Sequence, residues 1–244
     1  MSDLLDFTLI INGRDYPLRL EPRRTLLDAI RRSGRRPVFV FASSLAVYGA
    51  WPDQPLPAIV TDSTLPTSRS SYGIQKFILE QLVTDYTRKG HLVGRTVRLM
   101  TVVVRPGKPN AAASGFLSSI IREPLAGQPA TCPVVPEMEV ALASPESSIA
   151  GLLRAASAAE PDWGAPTAVN LPAVQTTVGG MVAALGAVAG TAATKLITWE
   201  PDEQVSALVG SWPARFNTAR ASRLGLTADR DFETIVRRYQ QHYG

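Results

Sequence analysis

Two short apolar runs joined by a long amphipathic segment place the tightest limit on the fold. Residues 38–42 (VFVFA) and 96–104 (TVRLMTVVV) are largely continuous rather than alternating, which is typical of strands covered on both faces of a parallel sheet. Between them, residues 50–70 are rich in proline and indicate a loop. Residues 71–89 have helical periodicity, with apolar stripes on two sides. Strand, helix and strand in this order predict an α/β fold.

Shorter segments continue the alternation on both sides. Residues 7–11 and 16–20 read as two strands joined by a tight turn at Asn12-Gly13, followed by a helix that Thr25 caps and Gly34 ends. Residues 106–145 are rich in proline, glycine and alanine, and we expect them to fold over the edge of the sheet. Further on, the sequence predicts strands at 169–172 and 196–199 and helices at 176–189 and 232–239.

Composition excludes several classes of function. The net charge of +4 has one dense cluster, at residues 31–36, which a solvated helix end explains better than nucleic-acid or membrane binding. Cys132 is the only cysteine, so neither a disulfide framework nor an iron–sulfur cluster can form within one chain. His91 and His242 have no neighbouring ligands at metal-binding spacing. With no apolar run of membrane-spanning length and no signal-like start, we expect a cytoplasmic protein.

Ser44, Tyr72 and Lys76 are the strongest candidates for chemistry. Ser44 follows the first apolar strand, at the carboxyl end where open α/β sheets place their ligands. Tyr72 and Lys76 are one helical turn apart and can project from one face. An ammonium beside a phenol favours the phenolate and lowers its pKa, while a serine hydroxyl can hold the substrate oxygen. By itself, Tyr-x-x-x-Lys is a weak motif, and an ordinary helix surface also explains it.

The amino-acid sequence around these residues resembles that of the extended short-chain dehydrogenase/reductase superfamily. Residues 41–49 (FASSLAVYG) and 71–76 (SYGIQK) carry that resemblance. Four further segments narrow it to the D-erythronate dehydrogenase branch: residues 98–114 (RLMTVVVRPGKPNAAAS), 121–127 (IREPLAG), 169–172 (VNLP) and 210–216 (GSWPARF). The likeness covers residues 25–244. It implies the C-terminal part of a Rossmann-type sheet with its small substrate-binding lobe.

The resemblance also implies a reaction and a role for each residue. NAD would take a hydride from the 2-position of a four-carbon sugar acid, leaving a 2-oxo acid. Tyr72 would accept the hydroxyl proton, Lys76 would bind the nicotinamide ribose, and Ser44 would hold the reacting oxygen. Thr101 would pass near the nicotinamide, and the helix at 71–89 would form a homodimer contact. Two residues depart from the family pattern: Met100 replaces a usual proline, and Asn217 replaces a usual aspartate.

The stretch before this resemblance lacks the turn that holds a dinucleotide. Gly13 and Gly34 are the only glycines upstream of Ser44, so no Gly-x-x-Gly-x-x-Gly or Gly-x-Gly-x-x-Gly occurs there. Residues 1–31 instead resemble the start of a xanthine-dehydrogenase-type two-iron two-sulfur ferredoxin domain, without its cluster cysteines. We therefore expect a hairpin fragment at 1–24 joined, by gene fusion or deletion, to a truncated dehydrogenase domain at 25–244.

Two functions follow from these observations. The first is NAD-dependent oxidation of a sugar acid, impaired because the pyrophosphate contacts of the glycine-rich turn are missing. The second is a non-catalytic remnant that acts as an interaction module, since absent strands would leave the strand at 38–42 as an apolar sheet edge.

Overall fold

The computed structural model describes the backbone of residues 5–11 and 14–20 and, in full, residues 26–107 and 113–243. Strands and helices alternate along the chain, as the sequence predicts. The strands are β1 (Leu5–Ile11), β2 (Arg14–Leu20), β3 (Val38–Ser44), β4 (Val93–Leu99), β5 (Thr101–Val102), β6 (Ala130–Cys132), β7 (Glu139–Ala143), β8 (Val169–Asn170), β9 (Val174–Thr177) and β10 (Ile197–Trp199). The helices are α1 (Leu26–Arg32), α2 (Ser71–Arg88), α3 (Phe116–Leu125), α4 (Pro145–Ser157), α5 (Glu160–Trp163), α6 (Val178–Ala189), α7 (Thr191–Thr194), α8 (Glu203–Val209), α9 (Ala219–Arg223) and α10 (Phe232–Tyr243).

The central sheet is parallel, in the order β3-β4-β8, and the fold is a Rossmann-like α/β fold. α2 packs on this sheet, which is the layered arrangement that a buried parallel strand requires. The apolar runs of β3 and β4 thus meet helices, and β4 is buried along nearly its whole length. The sequence-based prediction of an α/β fold is confirmed.

The prediction of one strand over residues 96–104 is wrong. β4 ends at Leu99, Met100 breaks the strand, and β5 continues in a different sheet, of order β5-β7-β9. Met100 is 3% exposed and packs in the core that both sheets share. An apolar run cannot reveal such a crossing, because residues on both sides of it are equally buried.

The segment at 106–145 is also more regular than its composition indicates. Its described part, residues 113–145, contains α3, β6 and β7 rather than a loop over the sheet edge. β6 pairs in parallel with β10, and β7 lies between β5 and β9. Together with α6 and α10, α3 encloses a second apolar core apart from that of the central sheet. This part forms the smaller lobe beside the central sheet.

The N-terminal hairpin forms its own two-stranded sheet. β1 and β2 are antiparallel, with Ile11 opposite Arg14, so the two predicted strands are present. Asn12-Gly13 and Thr25, which were expected to make the turn and the helix cap, lie outside the described residues. Among the described residues β3 pairs only with β4, which leaves β3 at the edge of the central sheet.

The structure also places two single residues that the sequence singled out, Cys132 and Asn217. Cys132 is fully buried, and its thiol donates to the carbonyl oxygen of Val134. Asn217 accepts a hydrogen bond from the N–H of Ala219 at 3.0 Å, so it supports the start of α9. Within the described part of the chain, no helix has the length and apolar character needed to cross a membrane.

Candidate active site

A cavity of about 590 Å³ opens at the carboxyl end of the central sheet. Ser44, Tyr72, Lys76 and Thr101, the four site residues named from the sequence, all line it. The cavity thus brings together residues from β3, α2 and β5. The described residues around it are Ala42, Ser43, Ser44, Leu45, Ala46, Ser70, Tyr72, Lys76, Leu99, Met100, Thr101, Val102, Arg105, Ala113, Ser114, Leu208 and Trp212.

Ser44 is placed by the end of β3. It caps a single 3-10 turn, Leu45–Val47, and its Oγ accepts a hydrogen bond from the N–H of Ala46 at 3.1 Å. The turn residues are buried, so the chain leaves the sheet at a fixed angle. The hydroxyl hydrogen of Ser44 is left to donate to a group in the cavity.

The first turn of α2 is held close against this turn. Ser70 caps the helix, its Oγ accepting from the N–H of Gly73 at 3.1 Å. A Cβ at position 73 would lie 1.9 Å from the carbonyl oxygen of Ala46, so only glycine permits this approach. The close contact places Tyr72 beside the end of β3. The side chain of Tyr72 is 54% exposed and faces the cavity.

Lys76 bridges the helix and the strand. Its Nζ donates to the carbonyl oxygen of Ala42 at 2.8 Å and lies 5.6 Å from the ring centre of Tyr72 and 5.0 Å from that of Phe41. Burial lowers the pKa of Lys76. The carbonyl of Ala42 holds this ammonium against the aromatic rings of Tyr72 and Phe41, where it makes cation–π contacts.

A buried polar network lies beneath these residues. Glu80, one turn after Lys76 on α2, accepts from Arg98 Nε at 2.9 Å and from Arg98 Nη2 at 2.7 Å. It also accepts from Ser43 Oγ at 2.5 Å, and Arg98 Nη1 donates to Tyr48. Burial opposes the charge of Arg98, but its bonds to Glu80 and Tyr48 outweigh that effect and raise the pKa of Arg98. This network joins α2, β3 and β4 directly behind the cavity.

The opposite wall contains residues that sequence reasoning missed. Arg105 follows β5, Ser114 precedes α3, and Leu208 and Trp212 lie in and after α8. Trp212 and Arg105 fall in segments that carry the family resemblance, but neither has a pattern that assigns it a role. Their convergence on one cavity is visible only in three dimensions.

His91 and His242 lie elsewhere. His91 stacks edge-on against Tyr86, at 5.7 Å between ring centres, and His242 lies in the last turn of α10. Within residues 26–107 and 113–243, no three His, Cys, Asp or Glu side chains come together as a metal site.

Comparison with known proteins places this architecture in a family. The model of the NAD dependent epimerase/dehydratase family matches residues 19–140, half of the chain. D-erythronate dehydrogenase from Cupriavidus necator is 45% identical over 227 residues, covering 93% of this chain and 69% of the relative. The chain belongs to the NAD dependent epimerase/dehydratase family.

Two further proteins are similar to this chain. D-erythronate dehydrogenase from Haemophilus influenzae is 39% identical, over 93% of this chain and 71% of its own length. The crystal structure of the nucleoside-diphosphate-sugar epimerase from Agrobacterium tumefaciens superposes with a TM-score of 0.83 at 41% identity, covering 89% of this chain. This chain spans 64% of the length of that epimerase.

The residues that line the cavity fit the nicotinamide end of NAD, the cofactor that the family implies. Tyr72 and Lys76 offer a phenol and an ammonium, and Thr101 offers a hydroxyl, around a space large enough for a nicotinamide ribose and a small substrate. For the pyrophosphate end of the dinucleotide, the described residues offer no comparable site. Among the described residues upstream of Ser44, no strand leads through a glycine-rich turn into a helix that could hold the pyrophosphate.

Proposed function

We propose that this chain carries the proton-transfer half of an NAD-dependent sugar-acid dehydrogenase, oxidising the 2-hydroxyl of a four-carbon sugar acid such as D-erythronate. The observation that carries the proposal is the convergence of Ser44, Tyr72 and Lys76 on one cavity at the carboxyl end of the sheet. The names of the two dehydrogenase relatives support the substrate class.

Each of the three residues has a separate role toward the substrate hydroxyl. Ser44 donates its free hydroxyl hydrogen to the reacting oxygen and fixes its position. Tyr72 accepts the hydroxyl proton, because its phenol stands in the cavity and a phenolate is a competent base. Lys76 stabilises the phenolate through its ammonium, which the carbonyl of Ala42 holds in place. NAD, when bound, supplies the hydride acceptor.

We further propose that the isolated chain turns over poorly. Tyr72, Lys76 and Thr101 would hold only the nicotinamide end of the dinucleotide, and the donors that normally hold its pyrophosphate come from a glycine-rich turn and a helix N-terminus. Residues 5–44 have no such turn in their described part. Weak NAD binding, rather than a defective base, is then what limits the reaction.

Turnover at very high NAD concentration tests this proposal. NADH fluorescence should rise with D-erythronate present and stay linear in NAD over the accessible range, because the cofactor site does not saturate. Tyr72→Phe removes one hydroxyl and should lower the rate about 100- to 10,000-fold. Tyr239→Phe, the same change outside the cavity, is the matched control and should keep the rate of the unmodified chain.

The same experiment separates the second candidate function. β3 lies at the edge of the central sheet, and Val38 on it is 51% exposed, which favours an interaction module. A folded chain whose Tyr72→Phe variant matches the unmodified protein in NADH production would contradict the dehydrogenase proposal and favour that module. The homodimer contact through α2 stays a prediction.

A further inference from the structure

The charged side chains among the described residues that line the cavity are all positive. Of its described lining residues, Lys76 and Arg105 are cations and none is an acid. Lys76 already donates to the carbonyl of Ala42 and lies against two aromatic rings. Arg105 makes no side-chain hydrogen bond or ion pair with any described residue. Among the described lining residues, Arg105 is therefore the cation whose guanidinium can bind a ligand anion without giving up a protein contact.

The backbone beneath Arg105 is fixed. Its N–H donates to Ser118 Oγ at 3.2 Å, and its carbonyl accepts from Arg122 Nη1 at 2.9 Å, so α3 holds the residue from both sides. The preceding residues, Val103 and Val104, are buried in the apolar core of the lobe. The fixed backbone limits the guanidinium of Arg105 to positions on this side of the cavity.

We propose that Arg105 is the specificity-determining residue of this site, binding the carboxylate of the sugar acid while Ser44 and Tyr72 engage its hydroxyl. A guanidinium matches a carboxylate through two parallel N–H···O bonds, a geometry that an ammonium cannot reproduce. The proposal rests on the proposed function, and it deepens that function by stating why an acid rather than a neutral sugar is taken. The remaining cavity wall, around Met100 and Trp212, is apolar enough to strengthen this charge pairing.

Binding measurements on charged and neutral ligands test the assignment without depending on turnover. D-erythronate and erythritol share a carbon chain and differ in the carboxylate, and each is titrated by calorimetry without added cofactor, so that no oxidation occurs. Arg105→Gln should weaken D-erythronate binding about tenfold to hundredfold and leave erythritol unchanged. Arg105→Lys should bind D-erythronate with an affinity between those of the unmodified chain and of Arg105→Gln, because lysine keeps the positive charge but cannot form two parallel hydrogen bonds to a carboxylate. Arg230→Gln, on the exposed surface, should change neither titration.

The outcomes separate this proposal from the one on which it rests. Equal D-erythronate affinity in Arg105→Gln and the unmodified chain would overturn the role of Arg105, and Tyr72-dependent oxidation would survive. A lower slope of NADH production against NAD concentration in Arg105→Gln, with D-erythronate affinity unchanged, would also overturn it and assign Arg105 to a cofactor phosphate. If the unmodified chain binds erythritol as tightly as D-erythronate, no carboxylate subsite exists. In that case the sugar-acid proposal fails as well.

Discussion

The same pair of charged groups occurs in two very different settings in this molecule. Glu80 and Arg98 are 1% and 4% exposed and lie behind the cavity, whereas Glu139 and Arg215 form an equally short pair on the surface of the lobe. In the buried pair, each polar group is tied to further partners, among them Ser43 and Tyr48. In the surface pair, water can replace either partner.

The difference shows what holds the site together. α2 carries Tyr72 and Lys76, β3 carries Ser44, and the buried pair joins these elements one layer below the reacting groups. A surface pair adds little, because side-chain ordering and screening offset its attraction. A buried pair adds little over apolar residues of equal size but becomes costly when half of it is lost. Its value here is the fixed geometry between α2 and the sheet.

Breaking the buried pair should have the largest effect. Glu80→Ala leaves the Arg98 charge buried and unpaired and should lower the free energy of unfolding by about 3–5 kcal/mol, measured by urea denaturation. The double variant Glu80→Met with Arg98→Met removes both charges at similar volume and should regain most of that stability. A loss below about 1 kcal/mol in Glu80→Ala would show that this pair is not buried in solution.

Removing one outer member of the network should have a smaller effect. Tyr48 is fully buried, and its hydroxyl bonds to Arg98, to the carbonyl of Thr61 and to Asn170 Oδ1. Tyr48→Phe keeps the ring and should cost about 1–3 kcal/mol, because polar partners lose a hydrogen bond. Tyr243→Phe, at an exposed residue of α10, serves as the matched control. Equal urea midpoints for the two variants would contradict a role for the Tyr48 hydroxyl.

Breaking the surface pair should have the smallest effect. Arg215→Gln should leave the urea midpoint unchanged in high salt, where exposed charges are screened. Arg215 lowers the pKa of Glu139 below its usual 4.5. A lowered carboxyl pKa stabilises the fold above the unfolded-state value and loses that contribution as pH falls through the folded-state value. At low salt, any difference in urea midpoint between Arg215→Gln and the unmodified chain should therefore disappear in acid. A difference that grows as the pH falls would contradict a stabilising contribution from this surface pair.

Local patterns predicted much of the central sheet and little of the lobe. The apolar run of β3 and the period of α2 each lie within one segment, and the structure has both within two residues of the predicted ends. The sequence analysis missed α3 because residues 106–145, which include Pro124, are rich in proline, glycine and alanine and resemble a loop. In the structure, one face of α3 contributes Leu117, Ile120 and Ile121 to the second core. The break at Met100 was missed because burial alone does not tell two sheets apart.

By itself, the sequence determined the α/β class, the resemblance to a family and the candidate site residues Ser44, Tyr72 and Lys76. Those properties depend on residue type and on spacing along one strand or one helix. Only the tertiary structure decided that Arg105 and Trp212 face the same cavity and that Glu80 meets Arg98 beneath it. Such properties arise from contacts between elements distant in the chain, and neither periodicity nor composition records which distant groups meet.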